Sequence, residues 1–246
     1  MRLRSIIGVT GELLVTAGIL VLLFVGWLVG WRGAVDSRAQ AAAVADIELA
    51  IAGPGASVPG TGSASAPGPG SAPSPDIVLA PPSGPLTDGQ VLGVLRIPRL
   101  GADWAKPIYE GVGAPILAKG IGHYPDTART GEIGNLGLAG HRAGSGNPLL
   151  HIDDLVPGDA IVVETREGWS VYRVVRHTIV PPTGVQVLAP VPERPGAKPT
   201  EAWLTLTSCD PPFTAKARYV VFARLEQTRL RAEGAPVAAL AAPGGR

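Results

Sequence analysis

Apolar and polar positions change their spacing along this chain, and three regimes follow. The first is an unbroken, uncharged run from Leu13 to Trp31. As a helix rising about 1.5 Å per residue it predicts a rod of roughly 28 Å, close to the hydrocarbon thickness of a bilayer. Trp27 and Trp31 fall near its far end, where indoles favour the membrane interface. Arg2 and Arg4 put the N-terminus in the cytoplasm, although Arg32 and Arg38 on the other flank weaken that bias. A cleaved signal peptide competes with this reading, but its apolar region would be only about 7–15 residues long. The run therefore reads as an uncleaved single-pass anchor in a cell membrane, with the rest of the chain extracytoplasmic.

Residues 34–52 are alanine-rich and continue as a juxtamembrane helix with no evident chemistry. From Gly53 to about Pro85 the sequence is almost all Gly, Pro, Ala and Ser, which cannot build a core and reads as a linker. Its reach is about 30 Å as a flexible coil and up to about 100 Å if fully extended.

From Gln90 onward apolar residues alternate over short stretches bounded by Gly and Pro, the strand period. Strands are predicted at Val91–Ile97, Lys106–Tyr109, Asn135–His141, Ala160–Thr165, Ser170–Val175, Trp203–Cys209 and Ala217–Leu225. Arg166-Glu167-Gly168 joins two of them as a hairpin. Residues 115–130 read as a turn or short helix followed by loop, Leu149–Leu155 as a short helix, and 181–199 as a Pro-rich loop. Seven or eight short strands with few helices predict an all-β domain of about 140 residues, a closed barrel. The expected organisation is cytoplasmic tip and anchor over 1–33, juxtamembrane segment and linker over 34–87, the barrel over 88–228, and a disordered tail over 229–246.

Composition narrows the function classes. The formal net charge is +1, so no basic field recruits nucleic acid. A single cysteine excludes an intrachain disulfide and a multi-cysteine zinc site. Asp153-Asp154 is too small a carboxylate group for calcium, and no metal or cofactor is expected.

That one thiol, Cys209, ends a strand in which Leu204 and Leu206 share one face. Trp203, Thr205, Thr207 and Cys209 share the other. Asp210-Pro211-Pro212 then stops the strand. A nucleophile and an inert buried thiol are both open readings, but a structural cysteine would more naturally join the leucines. With a reference pKa near 8.5, a thiol needs a histidine, a cation or both to act at neutral pH. His141 ends a strand of the same design, with Leu136 and Leu138 on one face and Gly137, Ala139 and His141 on the other. Gly137 and Ala139 leave room there for an extended ligand. His123, in a glycine-flanked loop, is the next candidate, whereas His151 and His177 read as ordinary solvated histidines. If strands 203–209 and 217–225 pair antiparallel, Arg218 lies near Cys209 and its guanidinium can orient a carbonyl or stabilise an oxyanion. Arg142 is expected on the opposite face from His141, and Lys216 is a looser rival on a loop.

Leu138-Ala139-Gly140-His141-Arg142, then Thr205-Leu206-Thr207-Ser208-Cys209 with Arg218 downstream, resembles the sortases, the cysteine transpeptidases of Gram-positive cell envelopes. The likeness covers roughly residues 88–228, and Gly122-His123-Tyr124-Pro125 looks most like class E, the housekeeping type of actinobacteria. Ser208 departs from the family pattern, which usually has threonine before the cysteine. The resemblance implies an eight-stranded barrel in which Cys209 attacks the Thr–Gly carbonyl of a C-terminal LAXTG- or LPXTG-type sorting signal on a surface protein. It implies that His141 moves the protons, that Arg218 stabilises the oxyanion, and that a peptidoglycan-precursor amine is the acceptor. Tyr124, Thr207 and Ser208 are its implied substrate contacts. Two other readings share these residues: a thiol peptidase with water as acceptor, and a membrane-tethered binding module without activity.

Overall fold

The computed structural model describes residues 2–52 and 84–242, apart from the side chains of 2–10, 28–30 and 32. The expected linker, over 53–83, lies outside the described residues. A long helix, α1 (Arg2–Ala52), precedes the strands β1 (Val91–Arg96), β2 (Ala105–Glu110), β3 (Ile121–His123) and β4 (Gly134–Ala139). They are followed by β5 (Ala160–Glu164), β6 (Gly168–Val180), β7 (Ala202–Asp210) and β8 (Ala217–Leu230). Short helices α2 (Ala114–Leu117) and α3 (Val237–Leu240) complete the list, with 3-10 turns between some of the strands and one between β8 and α3.

The eight strands close into a barrel in the order β1-β2-β3-β4-β7-β8-β6-β5, as expected for the all-β reading. Two neighbouring pairs, β2–β3 and β4–β7, are parallel. The others are antiparallel. Alternation sends Leu95, Ile108, Leu136, Leu138, Leu204 and Leu206 into one buried cluster that fills the barrel. The opposite face of β7 is also buried: Thr205 and Thr207 are covered rather than solvated.

That cover is the 181–199 segment, which is anchored by polar contacts. The 3-10 turn Val185–Leu188 lies over β4 and β7, and Asn135 Nδ2 donates to Val187 O at 3.1 Å and Ala189 O at 3.0 Å. Thr205 Oγ1 donates to Asn135 Oδ1 at 2.8 Å, which orients the amide. The room expected beside Gly137 is filled by this arrangement. A Cβ there would lie 3.1 Å from both Leu188 and Tyr124.

Three segments depart from the sequence reading. Gly122 and His123 belong to strand β3, not a loop. Gly122 is required because a Cβ would lie 2.3 Å from Gly111 O across the parallel β2–β3 pair. The expected disordered tail begins inside β8 and continues through an ordered turn to α3, where Ala239 packs with Val162, Trp169 and Val171. Finally, the second half of α1 docks on the barrel. Val44, Ile47 and Ile51 pack against Val91 and Val94, and Glu48 pairs with Arg96. Among the described residues no helix is long and apolar enough to cross a membrane.

Candidate active site

Strand direction brings Cys209, His141 and Arg218, the three residues singled out in the sequence, to one end of the barrel. β4 and β7 run parallel with Ala139 opposite Thr207, and Gly140 N–H donates to Thr207 O, so His141 leaves β4 at the end of the sheet where Cys209 nears the end of β7. β8 returns antiparallel with Arg218 directly opposite Cys209. Asp210 faces Ala217, and the chain crosses from β7 to β8 through residues 211–216.

Cys209 is half-buried and free. Its strand is held to the end of β4 by Gly140 N–H donating to Thr207 O at 3.1 Å and Ser208 Oγ donating to Gly140 O at 2.8 Å. The Ser208 hydroxyl is therefore buried inside the fold, tying two strands together rather than facing a substrate. Thr207 is likewise buried. Its Oγ1 donates to Leu138 O at 3.2 Å and lies 3.1 Å from the Tyr124 hydroxyl, which then serves as donor to it. Tyr124 and Thr207 thus line one wall of the strand pair as a unit.

His141 is half-buried, and loss of solvent pushes its imidazole pKa below the ordinary value, favouring the neutral ring at pH 7. Arg218 uses Nη1 to donate to Ala217 O at 3.0 Å and Ala215 O at 3.3 Å. Among the described residues neither Nε nor Nη2 has a hydrogen-bond acceptor, so part of the planar fork is available to a ligand.

Arg142, expected on the face away from the site, is instead a buried clamp beneath it. Nη1 bonds Asp210 Oδ1 at 2.5 Å, Nη2 pairs with Asp153 at 2.7 Å, and Nε donates to Leu150 O at 3.3 Å. It links the residue after His141 to the residue after Cys209. The alternation rule failed here because β4 ends at Ala139 and the chain turns before Arg142. Asp153 pairs with this arginine.

The remaining histidines lie elsewhere. His123 is buried with Glu110, Nδ1 to Oε2 at 2.6 Å, and its Nε2 is 2.9 Å from Thr127 Oγ1. Every polar atom of that ring is engaged, a structural arrangement that the sequence signalled only through Glu110 in the partner strand. His177 stacks on Tyr219 at 5.1 Å, and His151 is exposed beside Asp154. A cavity of about 180 Å³, lined by Leu86, Leu136, Trp169, Thr228 and Leu230, opens where β4 begins and β8 ends. That is the opposite end of the barrel from Cys209, and none of Cys209, His141 and Arg218 lines it.

A family model described as the sortase domain matches residues 95–226. Sortase SrtE1 of Streptomyces coelicolor is 35% identical over 236 residues, covering 92% of this chain and 59% of that protein. The chain thus spans less than two thirds of that relative. Sortase SrtE2 of the same organism is 32% identical, covering 90% of this chain and 83% of its own length. Among solved structures, that of sortase E1 from Streptomyces coelicolor with a tripeptide in the active site is 40% identical. It superposes with a TM-score of 0.56 over 61% of this chain and 96% of that one.

Proposed function

Because the chain belongs to the sortase family, with class E relatives among its matches, we propose that it is a Cys209-dependent transpeptidase acting on C-terminal sorting signals of the LAXTG or LPXTG type. The observation that supports this reading is that Cys209 lies directly opposite Arg218 on β7 and β8, with His141 just beyond the same end of the neighbouring β4. In the first step the neutral His141 takes the thiol proton as the Cys209 sulfur bonds to the carbonyl carbon of the Thr–Gly peptide. The free donors of Arg218 receive the oxyanion. Collapse breaks the C–N bond, and the His141 imidazolium returns its proton to the departing glycine amine. In the second step an amine of a peptidoglycan precursor attacks the thioester and loses a proton to His141. The C–S bond breaks, and the proton returns to the sulfur.

The same reading assigns the apolar first half of α1, over Leu13–Trp31, to the membrane, with the N-terminus cytoplasmic and the barrel outside. Leu14, Leu22, Leu23 and Phe24 are all exposed on the isolated helix, an apolar surface suited to lipid and not to water. The test is to incubate the full chain in detergent with an LAXTG peptide, with and without a peptidyl amine. Mass spectrometry should find a thioacyl adduct on Cys209 and, with amine present, a ligated product. Hydrolysis unaffected by amine would favour a peptidase, and an unreactive Cys209 would favour a binding module.

A further inference from the structure

The loop that follows His141 has an unusual backbone. Gly144, Ser145, Gly146 and Asn147 all have positive φ, at 83°, 49°, 76° and 49°. Two of the four are not glycine; asparagine enters this region readily, whereas serine does so less often and relies more on its surroundings. Within the loop, Asn147 supports the turn by accepting from Gly144 N–H at 2.6 Å through its side chain. The loop closes where Leu149 N–H donates to His141 O at 3.0 Å, so its shape sets the backbone of the histidine itself.

The outward carbonyls of this turn are met by α1, more than a hundred residues earlier. Gln40 Nε2 donates to Ser145 O at 2.8 Å, and Ser37 Oγ donates to Gly146 O at 3.2 Å. Gln40 is 2% exposed, an unusual burial for a polar side chain on a helix that otherwise docks through Val44, Ile47 and Ile51. Contact is close: a Cβ on Gly146 would lie 3.0 Å from the Gln40 amide. Both donors sit on the helical stripe, at i and i+3, that faces the barrel.

We propose that Gln40 and Ser37 are positioning residues for His141, so that docking of α1 on the barrel completes the active site. The helix holds the left-handed turn, the turn holds the Leu149–His141 backbone bond, and that bond fixes the backbone from which the imidazole projects. The inference rests on the transpeptidase reading for its kinetic consequence but not for its structural one.

The test uses the full chain in detergent with Gln40→Met, which keeps the length and loses the donor, Ser37→Ala, and Ser37→Thr, which keeps the hydroxyl. Hydrogen exchange reads the Leu149 amide directly, and steady-state transfer to an amine acceptor gives kcat and KM separately. Gln40→Met should speed Leu149 exchange and lower kcat by roughly 3- to 30-fold at unchanged KM, the scale expected for a small misplacement of a catalytic group. Ser37→Ala should do the same more weakly, and Ser37→Thr should behave as the parent. Unchanged Leu149 exchange in Gln40→Met overturns the proposal whatever the activity does. So does faster exchange with unaltered kcat, a rise in KM alone, or a loss of rate that matches loss of folded protein by thermal melting. Absence of transfer in the parent chain would instead overturn the transpeptidase reading, and Leu149 exchange would still decide whether α1 holds the loop.

Discussion

Arg142 offers the sharpest quantitative check on how the site is held. Replacing it with methionine keeps most of the aliphatic stem and removes all the charged contacts. Its side chain is 3% exposed, while those of Asp210 and Asp153 are 19% and 49% exposed. The Asp210 contact is therefore a partly desolvated, charge-assisted hydrogen bond, in a class that contributes about 1.5–3 kcal/mol. The Asp153 contact is closer to a surface pair, contributing about 0–1 kcal/mol. Together with the bond to Leu150 O, the substitution should cost about 2–4 kcal/mol. Urea unfolding of the full chain in detergent, followed by tryptophan fluorescence, should then show the midpoint falling by about 1–2 M at a slope near 2 kcal/mol/M. Asp153→Asn should cost under about 1 kcal/mol. A loss below about 0.5 kcal/mol in Arg142→Met, or a loss as large in Asp153→Asn, would refute the assignment of the clamp to Asp210.

Arg218→Lys should lower kcat by about 10- to 100-fold, because an ammonium cannot both keep the Ala215 and Ala217 carbonyls and present a second directed donor; single-turnover acylation of Cys209 reads this step. His141 has a folded-state pKa below the 6.5 of the free side chain, so in the window between the two the unfolded chain binds more protons. Stability should therefore be fully present above about pH 6.5 and fall on acidification through that window, and a His141→Ala variant should lack this component when melting temperatures are compared from pH 5 to 8. Gly122→Ala would drive a methyl to within 2.3 Å of Gly111 O and 2.8 Å of Leu117, so we expect at least about 3 kcal/mol of destabilisation by urea melts, with β2–β3 amides exchanging first.

The sequence made most of the barrel legible because alternation survives wherever one strand face meets the core. Val91–Arg96, Ala160–Glu164 and Ala202–Asp210 are found within a residue or two of their predicted bounds. Ile121–His123 escaped because three residues carry too little alternation, and Gly122 reads as a breaker when its role is close strand packing. The docking face of α1 escaped for a different reason. Its stripe runs through Gly33, Ser37, Gln40, Val44, Ile47 and Ile51, and the polar members blur the apolar period although the spacing is helical. The same polar residues carry the hydrogen bonds to the loop after His141, so the positions that hid the interface are those that specify it. The placement of Cys209 and Arg218 opposite each other was legible because both stand near strand ends; that of Arg142 was not, because contacts past the end of β4 depend on tertiary packing.

The barrel topology explains why so many contacts converge on the end of β4. β7 and β8 are antiparallel neighbours joined by a short connection, so the covalent chain itself keeps Cys209 beside Arg218. β4 and β7 are parallel, and their C-terminal ends meet only after β5, β6 and the 181–199 cover have intervened. No hairpin can hold His141 to Cys209 in such a pair. Noncovalent contacts must do so: Gly140 to Thr207, Ser208 to Gly140, Arg142 to Asp210, and on the far side of the loop Gln40 and Ser37 to Ser145 and Gly146. Changes at the two contacts from α1 should therefore separate from changes in the barrel core. Core substitutions should lower stability and activity together, whereas Gln40→Met should lower kcat with little change in melting, because it acts on the one strand end that topology leaves untethered.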